Sequence, residues 1–417
     1  MENKMIAVVM AAGQGSRMVP LTDRRPKPMI EVASKPMVEH LLIQLINGGI
    51  KDFIFIVGYR NDVIENYFGD GSKWNCHIEY VQQEGPVGTG HAVLLTEGKV
   101  SEEFLVVNAD MYIAASDISE FIKIPGNVLA VQKVKDVSRY GAVEVNNGYV
   151  AGIREKLANS DSRLASVGMY KFTREIFRAL HEIPLSPRGE YELPTAMQVL
   201  IDEDDEAFRA YNCLTWWDVS YPWDLIEFNR YIMSNLETKI EGTIEDGVVV
   251  KGTLQLGKGS VIMSGCYIQG TVTIGENCII EPCCFLKKGT SIGNNVKIGF
   301  ASKIANSIIM DNTRTAARNY IADSVIGEGC YFGNGANVTC RRLDNEYVSV
   351  YGESTQRRKF GCVMGDQASV SANATVCAGS NVMSGQIILP GTVFSGGSSD
   401  ANLIEYEVDD DDVTFSF

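Results

Sequence analysis

Residues 256–298 read LGKGSVIMSGCYIQGTVTIGENCIIEPCCFLKKGTSIGNNVKI, and every sixth position in this stretch is a large aliphatic residue. Glycine and asparagine recur in the turns between these positions. A period of six fits neither a single helix nor a two-faced strand, but it fits a parallel β-helix with three short strands in each coil. The same period extends in both directions, and the positions are Ile244, Val250, Leu256, Ile262, Ile268, Ile274, Ile280, Leu286, Ile292, Ile298, Ile304 and Met310.

The repeat then changes phase twice. It resumes at Ile326, Phe332 and Val338, and again over residues 364–394. Between these two blocks, residues 340–362 read CRRLDNEYVSVYGESTQRRKFGC, a polar and basic stretch that we predict to be an insertion outside the coil. The chain ends in EYEVDDDDVTFSF (405–417), which we expect to form a solvated acidic tail.

The first half of the chain alternates between strand-like and helix-like stretches. MIAVVM (5–10), FIFIVGY (53–59) and FLVVNAD (104–110) have the length and β-branched content of buried parallel strands. KPMVEHLLIQLINGG (35–49) has helical spacing and ends in glycine. The pattern predicts a Rossmann-like, doubly wound α/β domain over 1–235, a left-handed parallel β-helix over 236–400, and a tail over 401–417.

Composition and charge exclude several functions. The 417 residues carry a net charge of −15, which argues against nucleic-acid binding because that function needs a basic surface. No apolar run is long enough to cross a bilayer, and the first residues do not resemble a secretory leader. The ten scattered cysteines are expected to be reduced and mostly buried. These features predict a soluble, cytoplasmic protein.

A glycine-rich loop follows the first predicted strand, in MAAGQGSRMVPLTDRRPKPM (10–29). Gly13 and Gly15 allow a tight turn and close approach of backbone amides to phosphate oxygens, and Arg17 and Lys27 add positive charge. A dinucleotide-binding fingerprint would have Gly or Ala where Met18 stands, and a Walker loop would close in Gly-Lys-Ser/Thr. Both of those interpretations fail, and phosphate binding of another kind is predicted.

With PLTDRRPKPM (20–29) and KPM (35–37) beside it, this loop resembles the signature of the sugar-phosphate nucleotidylyltransferases. The resemblance covers residues 5–235. Together with the β-helix, the whole chain is similar to the two-domain sugar-1-phosphate nucleotidylyltransferase/acetyltransferase family, which includes bifunctional N-acetylglucosamine-1-phosphate uridylyltransferases. It implies that a nucleoside triphosphate, UTP or dTTP, and a sugar-1-phosphate react in the presence of Mg²⁺ to give a nucleotide sugar and pyrophosphate.

The resemblance also assigns roles to the residues at matching positions. Arg17 would neutralise the leaving pyrophosphate and Lys27 would contact the phosphoryl group under attack. Asp110 in VVNADMY and Asp218 in WWDVSYPWD would hold Mg²⁺, as two carboxylates with phosphate oxygens suit a hard cation. The remaining implied contacts are Ala12, Gly13, Gly15, Ser16, Gln83, Gly88 and Thr89 for the nucleotide, and Tyr140, Gly141, Glu155, Lys156 and Ser166 for the sugar.

Two departures from the family pattern bear on function. Ser166 stands where the family has Asn, which leaves the identity of the sugar open. In the β-helix, Ala317 stands where bifunctional relatives have the histidine base of acetyl transfer, Cys340 replaces an Asn, and no histidine follows His181. Alanine does not accept a proton, so a poor or inactive acetyltransferase is predicted, with the β-helix serving mainly to form a homotrimer.

Three functions therefore remain to be separated. The first is an active nucleotidylyltransferase, the second is a bifunctional enzyme that keeps acetyl transfer, and the third is a regulatory subunit with a degenerate transferase domain. The set Arg17, Lys27, Asp110 and Asp218 is intact, which favours the first. The basic residues Arg357, Arg358 and Lys359 keep two interpretations open, an anion-binding loop and a subunit contact.

Overall fold

The computed structural model describes residues 5–85, 87–155 and 163–396. Contacts divide the chain into two compact units. The first contains the described residues of Met1–Gln14, Arg25–Met29 and Met37–Asp218, and the second those of Gly15–Arg24, Ile30–Pro36 and Val219–Phe417. The predicted acidic tail, 401–417, lies outside the described residues. Within those residues, no helix combines the length and apolar character needed to cross a membrane.

Among the residues that the structure describes, thirteen strands precede the β-helix, and nine of them form one sheet. Numbered along the chain, they are β1 (Ile6–Met10), β2 (Glu31–Val32), β3 (Lys35–Pro36), β4 (Asp52–Val57), β5 (His77–Gln82), β6 (Glu103–Asn108), β7 (Met111–Ile113), β8 (Val128–Lys133), β9 (Gly141–Asn146), β10 (Tyr149–Glu155), β11 (Leu164–Thr173), β12 (Arg209–Asn212) and β13 (Trp216–Asp218). The order in the sheet is β5-β4-β1-β6-β11-β8-β12-β10-β9.

The strands predicted from apolar runs are confirmed as parallel neighbours. β1 pairs in parallel with both β4 and β6, and β4 pairs in parallel with β5. The sheet becomes mixed beyond β6, because β11 runs antiparallel to β6 and to β8. Parallel strands end at one edge of the sheet, so the loops after β1 and β6 lie side by side.

Helices cover both faces of this sheet, as a doubly wound fold requires. The α-helices in the described part of the chain are α1 (Met37–Asn47), α2 (Asn61–Phe68), α3 (Thr89–Leu94), α4 (Ala115–Phe121), α5 (Glu175–Glu182), α6 (Leu193–Glu203) and α7 (Asp224–Ser234). Alternate residues of β4 enter different cores: Phe53 and Phe55 pack with α1, α2 and α4, whereas Ile54 and Ile56 pack with α3, α5 and α6. Burial on both faces explains why these strands are almost continuously apolar.

The second unit contains three parallel eight-stranded sheets, consistent with the predicted left-handed β-helix. The first has β14 (Lys239–Ile240), β17 (Leu254–Leu256), β20 (Val272–Ile274), β23 (Thr290–Ile292), β26 (Ile308–Ile309), β29 (Val325–Ile326), β34 (Cys362–Met364) and β37 (Ser380–Val382). The second has β15 (Thr243–Ile244), β18 (Val261–Ile262), β21 (Ile279–Ile280), β24 (Lys297–Ile298), β27 (Arg314–Thr315), β30 (Tyr331–Phe332), β35 (Ser369–Val370) and β38 (Ile387–Ile388). The third has β16 (Val249–Lys251), β19 (Tyr267–Gln269), β22 (Phe285–Lys287), β25 (Lys303–Ala305), β28 (Tyr320–Ala322), β31 (Asn337–Val338), β36 (Thr375–Val376) and β39 (Val393–Phe394).

Strand register explains the two phase changes. Ile309, and not Met310, lies opposite Ile292, so the hexad position predicted at Met310 is wrong by one residue. The coil has lost one residue there, and the next coil repeats the shorter length because Ile326 lies opposite Ile309. The second change is the predicted insertion, which leaves the coil after β31 and contains the hairpin of β32 (Ser349–Val350) and β33 (Glu353–Ser354).

Small polar side chains hold the corners of neighbouring coils together. The Ser260 hydroxyl donates to the Gly275 carbonyl at 2.7 Å, and the Cys278 thiol, one coil later, donates to Gly293 at 3.0 Å. The Cys330 thiol donates to Gly365 at 3.2 Å, and burial raises its pKa to about 12. All ten cysteines are free, so these thiols act as buried donors rather than as bridges.

Helix α7 and the β2–β3 hairpin belong to the same compact unit as the β-helix. Asn229 of α7 is fully buried, accepts a hydrogen bond from the Ala33 amide at 2.8 Å and donates one to the Gly289 carbonyl at 2.9 Å. The Ser34 hydroxyl donates to the Ile292 carbonyl at 2.9 Å. These bonds attach both elements to the two ends of β23, within one coil.

Candidate active site

The glycine-rich loop begins where β1 ends. Gly13 is exposed, and a side chain added there would meet nothing within 4 Å. Gly15 has a φ of 75°, so it is the glycine whose left-handed backbone the turn requires, and its carbonyl accepts a hydrogen bond from the Thr22 hydroxyl at 3.1 Å. Ala12 is half-buried and Ser16 is exposed. The loop thus presents an open backbone, as phosphate binding by amides needs.

Arg17 follows in a short 3₁₀ helix, Ser16–Met18. Its side chain is exposed, and its guanidinium lies 5.7 Å from the ring centroid of Tyr221. Both residues belong to the second compact unit. A guanidinium over an aromatic face keeps its hydrogen-bond donors available to an anion, since the ring contacts only its flat side.

Lys27 and Asp110 are brought together although 83 positions separate them in the sequence. Lys27 begins the 3₁₀ helix Lys27–Met29, and its Nζ lies 2.6 Å from Oδ2 of Asp110, which comes just after β6. The lysine side chain is 12% exposed and the aspartate 34%. The lysine is therefore nearly enclosed, while the carboxylate remains open to a ligand from the solvent side.

Asp218 ends β13, a strand that pairs with β7 away from the main sheet. In this antiparallel pair Asp218 lies opposite Met111, the residue that follows Asp110. The backbones that carry the two predicted metal ligands are therefore neighbours. Across the described ranges, no group of three or more His, Cys, Asp or Glu side chains could hold a metal ion, so a cation here would rely on two carboxylates and oxygens of the substrate.

Gln83, Gly88 and Thr89 form one connected loop region after β5. The Gln83 side chain is buried, and its Nε2 donates to the Gly88 carbonyl at 2.9 Å and lies 3.2 Å from Nδ1 of His91. Both contacts use the amide nitrogen, so the carbonyl oxygen of Gln83 has no partner among the residues that the structure describes. It is positioned to accept one hydrogen bond.

The segment around Tyr191 holds this loop, and sequence patterns did not reveal it. Gly88 has a φ of 102°, and a Cβ added there would lie 2.4 Å from the Tyr191 carbonyl oxygen. That carbonyl accepts from the Gly90 amide at 2.8 Å, and the Tyr191 amide donates to Val87 at 2.8 Å. The Thr89 hydroxyl accepts from the Leu193 amide at 3.2 Å. The only signal in the sequence was the pair of glycines at 88 and 90.

The residues predicted to bind the sugar gather along β9, β10 and β11. Gly141 lies opposite Glu155, and Ala142 lies opposite Ala165, which precedes Ser166. Ser166 is buried, and its hydroxyl lies 3.2 Å from that of Tyr170. The backbone of Glu155 ends β10, whereas its side chain and Lys156 lie outside the described part of the chain.

Tyr140 connects this group with the strand of Asp218. Its ring packs edge-on against Trp216, with 5.0 Å between ring centroids. Trp216 lies two residues before Asp218 in β13. The predicted sugar and metal residues are therefore adjacent within the first compact unit.

Asn108 is a further residue that sequence reasoning missed. It ends β6, two positions before Asp110. A Cβ added to Gly168 would lie only 2.4 Å from Nδ2 of Asn108, so a side chain there would collide with the amide. Gly168 has a φ of 84° and sits at the register shift of β11 between Ser166 and Tyr170. The irregular strand leaves room for the amide, so Gly168 matters for the shape of the site next to Ser166.

In the β-helix, the positions expected for the histidine base and for the Asn of acetyl transfer are occupied by Ala317 and Cys340. Ala317 lies in a turn between β27 and β28, where its amide donates to Oδ1 of Asn334 at 3.0 Å. Cys340 is fully buried after β31. Tyr320 begins β28, and its ring is 5.5 Å from Nζ of Lys303.

Comparison with known proteins identifies the family of the chain. A family model described as nucleotidyl transferase matches residues 6–235, and one described as the GMPPB C-terminal domain matches residues 268–391. The chain belongs to the nucleotidyl transferase family. This nucleotidyl transferase is also 37% identical, over 91% of its length and 92% of the relative, to the bifunctional protein GlmU of Methanocaldococcus jannaschii.

Two other relatives and one structure extend the comparison. A bifunctional sugar-1-phosphate nucleotidylyltransferase/acetyltransferase of Sulfurisphaera tokodaii is 32% identical over 93% of this chain and 97% of the relative. A glucose-1-phosphate thymidylyltransferase of Streptomyces antibioticus is 33% identical over 61% of this chain and 74% of the relative. A UDP-glucose pyrophosphorylase, solved with UDP-glucose, superimposes with a TM-score of 0.50 and 24% identity over 56% of this chain and all of its own, which supports the fold alone.

Proposed function

We propose that this nucleotidyl transferase moves a uridylyl or thymidylyl group from UTP or dTTP to a sugar-1-phosphate and releases pyrophosphate. The observation that carries the proposal is the ion pair of Lys27 and Asp110, with 2.6 Å between Nζ and Oδ2. Asp218, at the end of β13, lies on the backbone next to it. A phosphate oxygen of the sugar attacks the α-phosphorus, and the bond from that phosphorus to the bridging oxygen breaks. The substrate phosphate is already anionic, so no protein nucleophile is needed.

The chain's contribution is to position the substrates and to neutralise charge. Lys27, held by Asp110 until substrate arrives, would turn its ammonium to the phosphoryl group under attack. The amides of Ala12, Gly13, Gly15 and Ser16 would bind the triphosphate oxygens. Arg17 would stabilise the charge that develops on pyrophosphate. Fixed donors of this kind lower the barrier most where water is excluded.

The two carboxylates fit a divalent cation. Asp110 is one-third exposed, so a hydrated ion reaches its carboxylate, and Asp218 lies on the neighbouring strand. We propose that these residues hold Mg²⁺, which, when bound, supplies charge neutralisation at the phosphates. The ion would compete with Lys27 for the same carboxylate oxygen, so cation binding and release of the lysine are expected to be linked.

The base and the sugar would bind to separate parts of the sheet edge. The carbonyl oxygen of Gln83 accepts and the amide of Gly88 donates, which matches the acceptor and donor pattern of uracil or thymine. Thr89 would support this loop. Tyr140, Gly141, Glu155, Lys156 and Ser166 would contact the sugar phosphate, with the small Ser166 leaving room for a substituent on the sugar.

Pyrophosphate release tests the proposal. Each of the four common ribonucleoside triphosphates and dTTP is combined with glucose-1-phosphate or N-acetylglucosamine-1-phosphate in the presence of Mg²⁺. We expect release with UTP or dTTP that depends on the sugar phosphate and falls about 10²- to 10³-fold in Lys27→Ala. Equal release by the wild type and Lys27→Ala, or none with any pair, would contradict the proposal and favour a regulatory subunit.

A second activity, acetyl transfer, is suggested by the printed names of two relatives as bifunctional proteins. We propose that it is weak or absent here, because Ala317 and Cys340 supply neither a base nor an amide. An assay with glucosamine-1-phosphate and acetyl-CoA decides this, since turnover above background would assign the second activity to the β-helix.

The β-helix is also proposed to assemble the chain as a homotrimer. Its outer faces carry exposed apolar side chains, among them Tyr267, Ile279 and Tyr331, which are 39%, 40% and 47% exposed. Light scattering of the full chain measures the mass directly, and a monomer would contradict the proposal. We further propose that the enzyme acts in the cytoplasm and that its functional domains divide at residue 235.

A further inference from the structure

The basic insertion of the β-helix makes a contact that neither of its predicted roles explains. It ends in the sequence RRKFG, and Phe360 of this sequence is buried, 1% exposed. Its ring packs edge-on against Trp223, with 6.3 Å between centroids. Arg357 pairs with Glu227 of α7 at 3.2 Å. The insertion therefore packs on the segment that begins α7, within the second compact unit.

That segment continues the contact toward Arg17. Trp223 stacks on Tyr221, with ring centroids 4.5 Å apart and planes 8° from parallel. Oδ2 of Asp224 accepts hydrogen bonds from the amides of Ser220 and Tyr221, at 3.1 and 2.9 Å, which fixes the backbone of this turn. The Tyr221 ring then lies under the guanidinium of Arg17. A continuous series of aromatic contacts joins Phe360 to Arg17.

A second attachment lies at the other end of the Arg17 loop. The Ser384 hydroxyl lies 2.8 Å from Oδ2 of Asp23 and 3.3 Å from the Pro20 carbonyl. On the neighbouring coil, a Cβ added to Gly365 would lie 2.8 Å from Cβ of Pro20. Pro20 therefore sits against two turns of the β-helix. The loop of residues 15–24 belongs to the same compact unit as these turns.

We propose that the β-helix positions Arg17 for nucleotidyl transfer, through Phe360, Trp223 and Tyr221 on one side and through Ser384 and Gly365 on the other. These are positioning residues, and the catalytic consequence rests on the proposed function of Arg17. Without a fixed partner, an exposed arginine on a glycine-containing loop would sample many rotamers. Because the Tyr221 ring is held in place, Arg17 is already partly ordered, and less side-chain entropy is lost when it binds the developing pyrophosphate.

The order of the loop tests the proposal without any assay of activity. Hydrogen exchange of the amides of residues 13–22 is compared between the wild type, Phe360→Leu and Phe332→Leu. Phe332 is equally buried in the β-helix core, so it is a matched control for loss of the ring. We expect Phe360→Leu to speed exchange in the loop about tenfold and Phe332→Leu to leave it unchanged. Equal exchange in the two variants would overturn the proposal.

Two substitutions that remove only a hydroxyl group keep the proposal testable if Phe360→Leu fails to fold. Ser384→Ala removes the hydroxyl near Asp23, and Ser380→Ala removes a buried hydroxyl of the same coil that lies 3.3 Å from the Phe394 carbonyl. Faster loop exchange in Ser384→Ala but not in Ser380→Ala supports the proposal. The same exchange in both variants opposes it, whatever happens to Phe360→Leu.

A double-mutant cycle tests whether the effect passes through Arg17. We expect Phe360→Leu to lower kcat about tenfold, with little change in the KM of the sugar phosphate, and to have no further effect in Arg17→Ala. An undiminished effect in the Arg17→Ala background would refute the path through Arg17. If the wild type forms no pyrophosphate, the proposed function fails, and the exchange measurements still decide the positioning role.

Discussion

The sheet of the first half and the β-helix of the second half bury similar side chains, but they do so with different consequences. In the sheet, each core position is unique, and the candidate site residues lie in loops between strands, at strand ends and at the irregular part of β11. In the β-helix, one contact recurs in every coil, as the stacked Ile274, Ile292 and Ile309 show. We therefore expect substitutions at the sheet edge to change activity. Substitutions in the stacked core of the β-helix, away from the contacts of Phe360 and Ser384 with the Arg17 loop and its partner ring, should change stability alone.

The largest effect on activity is expected at Lys27, a lysine that serves the ligand, and it can be compared with Lys171, a lysine that serves the fold. Lys27→Ala removes the cation beside Asp110, and we expect kcat to fall about 10²- to 10³-fold with little change in the melting temperature, because the side chain serves the ligand. The measurement is pyrophosphate release together with thermal unfolding.

Lys171 is the matched control for Lys27. Its side chain is 1% exposed, and Nζ lies 2.9 Å from Oε2 of Glu103. Lys171 is fully buried and also donates to the Ile124 carbonyl, so Lys171→Ala should lower the free energy of unfolding by about 2 kcal/mol through lost packing and an unpaired carbonyl, while the folded enzyme keeps its kcat. The reverse pattern in the two lysines would contradict the placement of the site.

The β-helix core is expected to give a large effect on stability alone. Ile292→Ala removes a fully buried side chain stacked between two coils, and it should lower the free energy of unfolding by about 2–5 kcal/mol. Well below the melting temperature, kcat should stay near that of the wild type. Denaturant unfolding and initial rates check this, and a loss of kcat without a loss of stability would break the distinction between the two halves.

Gly88 provides a smaller test at the sheet edge. A Cβ at this position would collide with the Tyr191 carbonyl, so Gly88→Ala should displace the loop that holds Gln83 and raise the KM of the nucleotide about tenfold. Gly98 also has a left-handed φ, 86°, but has open space around it. Gly98→Ala should cost about 1 kcal/mol of stability and leave KM unchanged, so a similar KM in both variants would refute the role of the loop.

The smallest expected effect concerns pH. Nζ of Lys297 lies 2.7 Å from Oε1 of Glu281, and this bond, with the Phe300 amide, holds the pKa of Glu281 below its usual value of 4.5. A lowered pKa in the folded state contributes stability that is present above the usual pKa and lost as the pH falls through the folded value. Glu281→Gln should therefore be slightly less stable than the wild type at pH 7, with the difference shrinking below about pH 4 in thermal unfolding.

The β-helix could be predicted because its signal is local and repeated. Many hexads in a row indicate the same fold, so one position that departs from the period does not change the prediction. The three sheets could therefore be predicted even though Ile309 occupies the position expected for Met310. The shortened coil could not be predicted because Ile309 and Met310 are adjacent and both apolar, so either residue fits the hexad position. Only the pairing with Ile292 separates them.

The candidate site could be predicted only in part. The contact of Lys27 with Asp110 follows from a resemblance to a family and from the common edge of β1 and β6. Gly88 packs against the Tyr191 backbone and Gly168 against the Asn108 side chain, and in both pairs the residues are more than fifty positions apart, which no local pattern encodes. The contact of Phe360 with Trp223 could not be predicted for the same reason, because the two residues are far apart in the sequence.

The most direct test of the account is a phosphorus NMR spectrum of the reaction of the wild-type enzyme with UTP or dTTP, a sugar-1-phosphate and Mg²⁺. The account predicts that the signals of a nucleotide sugar and of pyrophosphate grow in equal amounts, and that both grow about 10²- to 10³-fold more slowly with Lys27→Ala. Orthophosphate in place of pyrophosphate, or pyrophosphate formed without the sugar phosphate, would contradict it.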